Sequence, residues 1–424
     1  MKHTRAALRW FNWSAGLRAV FDTVCSSGSF VFVALVLSLG VPRESMGFFG
    51  AMTQVASVFQ LLSLGLVSRV PSRKRYAVTL GLVEPVVLTV AIILALVAPA
   101  SCRLYVLAGG VFLAAALRHL TVPVTDDWLA STIPSLIRGR YIGRRSQVLA
   151  VVAMVGAPLV GWIADRMGSA HPVGLALLFA VGGLTGVAAV ACLGRAHMPT
   201  SAAARVRPRD LLAVWRFPVF RRYLAAVVVY NLPFFLCGPY NQVMHLDVFG
   251  LGKAQVGLIT AGAFVVRFAA LSVCSRLLNR VGGGRMVVWV TPLYVLWFLG
   301  FALSAPGRLW PLLIGHLCMA LGEAAYSVAA YDGLCEAIPK TASRPACFVV
   351  YNLGIAAAGA SLSLLAVGML GWLKGFGIVV VGPWQLTHFH LLFALSAVLM
   401  AGCGLAGRLF PHSAGGSPTG GKGS

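Results

Sequence analysis

The sequence predicts an all-α integral membrane protein with twelve transmembrane helices in two pseudo-symmetric six-helix bundles. Three observations carry that expectation. The composition is apolar with few charges, apolar stretches of bilayer-spanning length recur along the chain, and the basic residues gather in alternate loops.

Of 424 residues, 59% are hydrophobic and 11% are charged, where soluble domains carry roughly 25% charged residues. Too little polar sequence is present to cover that much apolar sequence in water. The formal net charge of +23 would point to nucleic acid in a soluble chain. Here the arginines separate apolar runs and form no continuous basic face, so no nucleic-acid partner is expected. The nine cysteines are scattered singly, without a CxxC pair, and suggest small apolar helix residues rather than disulfides or a zinc site.

Residues 1 to 17 are basic and amphipathic and lack a small-residue cleavage site, so they read as a retained cytoplasmic segment. The expected spans are about 18 to 40, 46 to 67, 76 to 99, 104 to 128, 146 to 166 and 171 to 193, then 222 to 245, 254 to 279, 286 to 305, 309 to 335, 344 to 370 and 386 to 409. A backbone in hydrocarbon must satisfy its own hydrogen bonds, and apolar runs of about 20 residues do so only as helices. The weak alternation of a membrane barrel is absent.

Basic residues are retained on the cytoplasmic face. With twelve spans, 26 Lys and Arg fall on the side of both termini and 6 on the other, leaving Arg118 and Arg267 inside spans. The six are Arg43, Arg103, Arg166, Lys253, Arg308 and Lys374. Both termini are therefore expected in the cytoplasm.

The longest polar stretch, 194 to 221, reads as a cytoplasmic linker dividing a bundle over 18 to 193 from one over 222 to 409. The Gly/Ser-rich tail, 410 to 424, reads as disordered. The halves also match each other. Ile133-Pro134 precedes Arg138-Gly-Arg140, and Ile338-Pro339 precedes Arg344, with the prolines 205 residues apart. Ser68-Arg69-Val-Pro-Ser-Arg73 and Asn279-Arg280-Val-Gly282-Gly-Gly-Arg285 follow spans two and eight at an offset of 211. Similar offsets at corresponding loops indicate a duplicated six-helix unit.

These residues resemble the major facilitator superfamily over roughly 18 to 409. The family's loop signature is Gly-x-x-x-Asp-Arg-x-Gly-Arg-Arg. Ser275-Arg-Leu-Leu-Asn279-Arg280-Val-Gly282-Gly-Gly-Arg285 keeps Arg280 and Gly282, while the first copy keeps Arg69 and the cluster Arg73, Lys74, Arg75. Ser68 and Asn279 stand where the family has aspartate. Trp128 to Arg145 is similar to the end of the fourth span and its loop in many bacterial members, and Gly156-Ala-Pro158-Leu-Val-Gly161 to the fifth-span motif. Gly161-Trp-Ile-Ala-Asp165-Arg-Met-Gly168 also matches the loop signature, but falls between spans five and six on the opposite face and reads as coincidence. The resemblance implies a cytoplasmic gate at Arg69, Arg73, Arg138, Arg140, Asn279, Arg280, Gly282 and Arg285. It also implies a central cavity lined by spans one, four, seven and ten.

Charges inside a bilayer are costly and mark function by default. Span one offers Asp22, with Ser26 and Ser29 on the same helical face. Span four has Arg118, His119, Asp126 and Asp127, span eight has Arg267, and span ten has His316, Glu323 and Asp332. The 205-residue offset maps Arg118 onto Glu323 and Asp127 onto Asp332. Arg118 and Glu323 are expected to meet across the cavity, either as a proton-linked pair or as a static one. Arg267 reads as neutralising a carboxylate or as binding substrate, and Glu84 as pairing with a loop arginine. His119 reads as a hydrogen-bonded structural histidine or a proton relay. In span seven, Asn231, Gly238 and Gln242 recur near the helical period and Pro233 and Pro239 loosen the helix, as at transport sites. Trp128 reads as an interfacial anchor.

No P-loop, HExxH or GxSxG motif is present, so neither ATP-driven transport nor an enzyme is expected, and no cofactor or metal. His388 and His390 offer only two ligands. The expected function is a monomeric secondary transporter, symporter or antiporter, that moves a small solute by alternating access with protons as the coupling ion. The alternative is a non-transporting assembly factor, receptor or scaffold of the same fold, favoured by the two absent aspartates.

Overall fold

The computed structural model describes residues 2–67, 69–133, 138–167, 172–198, 208–339, 341, 344–377, 379–381 and 384–404. Eleven helical stretches in it are long and apolar enough to cross a bilayer. A further apolar helix, His388–Cys403, has 16 described residues, and the expected remainder of its span, 405 to 409, lies outside the described residues.

The first span is α1 (Lys2–Cys25) followed by α2 (Phe30–Ser38). Helix α1 begins at Lys2, so residues 2 to 17, expected as a separate segment, continue the span. Their apolar stripe of Ala7 and Phe11 packs on Trp128, Leu193 and Ala196, which explains why this stretch is helical despite its charge. The helix then breaks. Ser29 accepts from Phe32 N at 3.1 Å and donates to Val24 O at 2.8 Å, so its hydroxyl replaces the helical ladder on both sides of the break. The shared helical face expected for Asp22, Ser26 and Ser29 does not exist, because the two serines sit in the interruption.

The second span comprises α3 (Met46–Val55) and α4 (Phe59–Val67) joined by a 3-10 turn. Spans three to six are α5 (Arg73–Val97), α6 (Ala100–Thr132), α7 (Arg138–Arg166) and α8 (Pro172–Arg195). A short helix α9 (Pro208–Val214) lies within the linker. The seventh span is irregular as its prolines lead one to expect: α10 (Pro218–Cys237), a 3-10 turn at Gly238–Tyr240, α11 (Asn241–Val243) and a π turn at Met244–Val248. The remaining helices are α12 (Lys253–Val281), α13 (Gly283–Ala302), α14 (Trp310–Ala337), α15 (Arg344–Leu373) and α16 (His388–Cys403). Between the last two, β1 (Val379–Val381) and β2 (Trp384–Leu386) form a small antiparallel hairpin that the all-α expectation did not include.

Before the linker, α1 packs on α7 and α8, and α5 on α6 and α8. After it, α13 packs on α14 and α16, α12 on α14, and α10 on α15 and α16. The halves join chiefly through α7 with α12 and α3 with α15. Large apolar side chains such as Val155, Leu184, Trp289 and Val398 point outward, as a surface facing lipid requires. Below, the ends of the bundle are called arginine-rich, where α1 begins, and arginine-poor, where α7 ends.

Candidate functional site

A cavity of about 730 Å³ lies between the halves. Asp22, Ser26 and Ser29 line it from the broken first span, and Leu149, Ala150, Ala153 and Ala157 from α7. Gln242, Thr260, Phe264, Arg267 and Ser327 line it from the other half. The break in the first span lets the two serines face the cavity beside Asp22. Of the sequence candidates, Asp22, Gln242 and Arg267 therefore reach the cavity wall.

Charge inside the bundle is paired within each half. The Arg18 guanidinium grips Glu84 through Nη1–Oε2 at 2.9 Å and Nη2–Oε1 at 2.6 Å, and its Nε donates to Asp22 Oδ1 at 3.1 Å. This fork matches a carboxylate edge to edge. Glu84, expected to pair with a loop arginine, pairs with Arg18, one of the 26 basic residues assigned to the cytoplasmic side, which lies within helix α1. Arg118 Nη1 donates to the same Asp22 Oδ1 at 3.3 Å. In the other half, Arg267 Nη1 lies 3.3 Å from Glu323 Oε1.

The expected pairing of Arg118 with Glu323 is thus corrected: Arg118 turns to Asp22 on α1 and Glu323 to Arg267 on α12. A duplication offset identifies equivalent positions, and equivalent positions need not face each other. His119 Nδ1 accepts from Gln60 Nε2 at 2.9 Å.

Several candidates lie away from the cavity wall. Asn231 donates to the Tyr326 hydroxyl at 2.8 Å and to Val227 O at 2.7 Å, within an aromatic cluster where Tyr230 stacks on Tyr326. His316 is buried, bonded to Leu312 O at 2.9 Å, with its ring 5.1 Å from that of His245. Asp127 is exposed and Asp332 half-buried. Trp128, expected as an interfacial anchor, is fully buried and donates to His197 O at 3.0 Å. His390 spends both ring nitrogens locally, on Thr387 at 2.9 Å and on Ser304 O at 3.1 Å.

At the arginine-rich end, Arg69, Arg280 and Arg285 are exposed and Arg73 half-buried. The side chains of Arg138, Arg140 and Asn279 lie outside the described residues. Gly282, at φ 82°, ends α12 and opens α13, a conformation that costs glycine little and other residues more.

The arginine-poor end is where the halves meet most tightly. Arg43 Nη1 lies 2.6 Å from Asp247 Oδ2, and Lys374 Nζ lies 2.9 Å from Glu44 Oε1. Tyr240 donates to Glu44 O at 2.9 Å. Asp165, at the end of α7, accepts from the backbone of Lys253 at 3.0 Å and Ala254 at 2.8 Å, with Lys253 Nζ at 3.5 Å. A carboxylate from one half thus caps the first turn of α12 in the other, where free N–H groups and the helix dipole favour negative charge. The motif dismissed as coincidence contains a residue with a definite structural task.

Glycine allows this approach. A Cβ on Gly161 would lie 2.8 Å from Lys253 C, and one on Gly257 2.8 Å from Ala157 C, both closer than packed carbon atoms come. Ala157 also lines the cavity, so the cavity starts where this seal ends. Sequence reasoning missed Glu44, Asp165 and Asp247; their signal was an acidic residue on the face that carries few charges.

The family model for the Major Facilitator Superfamily matches residues 13–361. No curated protein matches the chain. Among solved structures, an auto-inhibited POT family peptide transporter is similar at a TM-score of 0.70 and 13% identity, covering 95% of this chain and 96% of that one. A mutant of the nucleoside transporter NupG gives 0.69 and 12%, covering 96% and 100%. A bacterial homologue of the iron transporter ferroportin, in an inward-facing state, gives 0.67 and 14%, covering 96% and 98%.

Proposed function

This chain belongs to the major facilitator superfamily, and we propose that it is a secondary active transporter that carries a small solute across the membrane by alternating access, coupled to protons. The observation that carries this reading is the cavity between the halves, sealed at one end by contacts that cross from half to half and lined by Asp22 on one side and Arg267 on the other. Helix α16 counts as the twelfth span, so that α1 to α8 and α10 to α16 make two six-helix bundles on either side of the linker. By the basic residues, the arginine-rich end is cytoplasmic and the sealed end faces outward, in the inner membrane of a bacterium. On this reading the state is inward-facing and the transporter acts as a monomer.

In the proposed cycle the outer seal opens as the arginine-rich loops close, with Arg69, Arg73, Arg138, Arg140, Asn279, Arg280, Gly282 and Arg285 forming the inner gate. Asp22 and Glu323 are the proton sites. Asp22 is held by Arg18 and Arg118 and Glu323 by Arg267, and a proton arriving on either carboxylate frees N–H groups of the arginines that hold it. Ser68 and Asn279, in place of aspartates, favour the second reading, a non-transporting receptor or scaffold.

The test is solute counterflow and proton flux in proteoliposomes. Wild-type protein is expected to exchange a labelled solute, and Glu323→Gln to uncouple that exchange from the pH gradient while keeping it. Absence of exchange across a broad metabolite panel, with growth phenotypes unchanged by Glu323→Gln and Asp22→Asn, would sink the transporter reading.

A further inference from the structure

Opposite charges stand on opposite walls of the cavity. Asp22 belongs to the first half and Arg267 to the second, and both line the same space. Each commits only part of its bonding capacity. Asp22 meets Arg18 and Arg118 through a single oxygen, Oδ1, leaving Oδ2 with no hydrogen bond among the described residues. Arg267 meets Glu323 through one nitrogen, Nη1, of a guanidinium that carries five N–H donors. Their side chains are 36% and 32% exposed, unlike Glu84 at 7%, so the remaining capacity is open to a solute.

Arg18 and Arg118 accompany Asp22 and Glu323 accompanies Arg267, so a solute with a single charge finds an open opposite-charge partner on one wall alone. A solute with both charges meets attraction from both, and draws the two halves toward it. The same cavity is lined by Ser26, Gln242 and Thr260, which can hydrogen-bond, and by Phe264 and Phe268, which offer apolar contact. The cavity volume of about 730 Å³ falls in the range that holds solutes of drug-like size.

We propose that the solute is a zwitterion, an amphoteric molecule with an ammonium group bound at Asp22, a carboxylate bound at Arg267 and an apolar substituent between the phenylalanines. The proposal rests on the transport reading for its cavity, but its test separates the two. The probes are leucine, phenylalanine and the dipeptide phenylalanyl-alanine, each as the free zwitterion, the N-acetyl derivative and the C-terminal amide. Binding is scored on the purified full-length protein by thermal stabilisation, and exchange by counterflow in proteoliposomes.

At least one free zwitterion is expected to bind, with both blocked forms weaker by about tenfold or more, the scale of a lost charge-assisted hydrogen bond. Asp22→Asn should bring the free and N-acetyl forms to near-equal affinity, and Arg267→Gln should do the same for the free and amide forms. Asp22→Glu should restore the discrimination. These ratios are internal to each variant, so partial loss of folded protein leaves them readable. Equal binding of free and blocked forms, binding by none of the probes, or exclusive binding of singly charged acids or amines overturns the zwitterion. A zwitterion that binds with the expected ratios but gives no counterflow supports this site and overturns transport. Counterflow of a singly charged solute alone supports transport and overturns the zwitterion.

Discussion

The arginine-poor end of the bundle has few charges and pairs them across the halves, whereas the arginine-rich end has many and holds its described contacts within one half. Arg43, Lys253 and Lys374 are three of the six basic residues expected on the poor side, and they meet Asp247, Asp165 and Glu44 from the opposite half. At the rich end, Tyr141 donates to Leu8 O at 3.1 Å, Trp128 to His197 O at the start of the linker, and Lys74 lies over the Trp128 ring. The number of charges therefore says little about where the halves are locked. What matters is whether each carboxylate has a partner across the interface and whether the backbones come close enough to exclude water.

That rule is tested most severely inside the bundle. Glu84→Ala removes the bidentate partner of Arg18 and leaves that cation with Asp22 as its remaining carboxylate partner; a loss of about 3 kcal/mol is expected. Thermal unfolding in detergent reads this, and a loss under about 1 kcal/mol would mean that Arg18 reaches water by itself. At the sealed end, Asp165→Ala removes the cap of α12, with an expected shift of about 2 kcal/mol, or about thirtyfold, away from the sealed state. A cysteine at Thr260, probed with an impermeant maleimide from the arginine-poor side, should react faster by that factor.

Gly257→Ala places a methyl against the backbone of Ala157 and should raise the same labelling rate by about 1 to 2 kcal/mol of destabilisation; an unchanged rate would mean that the helices part at little cost. The smallest effect is expected from Arg43→Gln. Its pair with Asp247 has side chains 47% and 30% exposed, and such pairs contribute less than about 1 kcal/mol. An effect as large as that of Asp165→Ala would break the distinction between a helix cap and a surface ion pair.

The helices and their order were legible because hydropathy and backbone satisfaction in lipid act over 20 residues at a time and tolerate local exceptions. The candidate site was legible residue by residue, less so as contacts. Asp22, Gln242 and Arg267 stood out as polar groups in apolar runs and do line the cavity. Their partners did not follow, since the phase of a helix decides whether Glu323 faces Arg118 or Arg267, and the internal repeat carries no phase across the interface. Ser26 and Ser29 seemed a helical face; Ser-Ser-Gly-Ser is also a stretch whose hydroxyls compete with the helix ladder, and that competition won. Asp165, Glu44 and Asp247 lie at helix ends, where an acid has many harmless uses, so their one signal, an acid on the charge-poor face, did not single them out. Arg18 was hidden by the assumption that a basic residue near the start of a span lies outside it.

The partly exposed ion pairs of the sealed end have a consequence for the medium around the protein. Arg43 with Asp247 and Lys374 with Glu44 weaken as dissolved ions screen them, since the screening length falls from about 10 Å at 0.1 M to about 3 Å at 1 M salt. The Asp165 cap, with two short backbone bonds, is far less sensitive. If the sealed end faces outward, external salinity acts as a weak modulator of the resting conformation, superimposed on a lock that ions do not loosen.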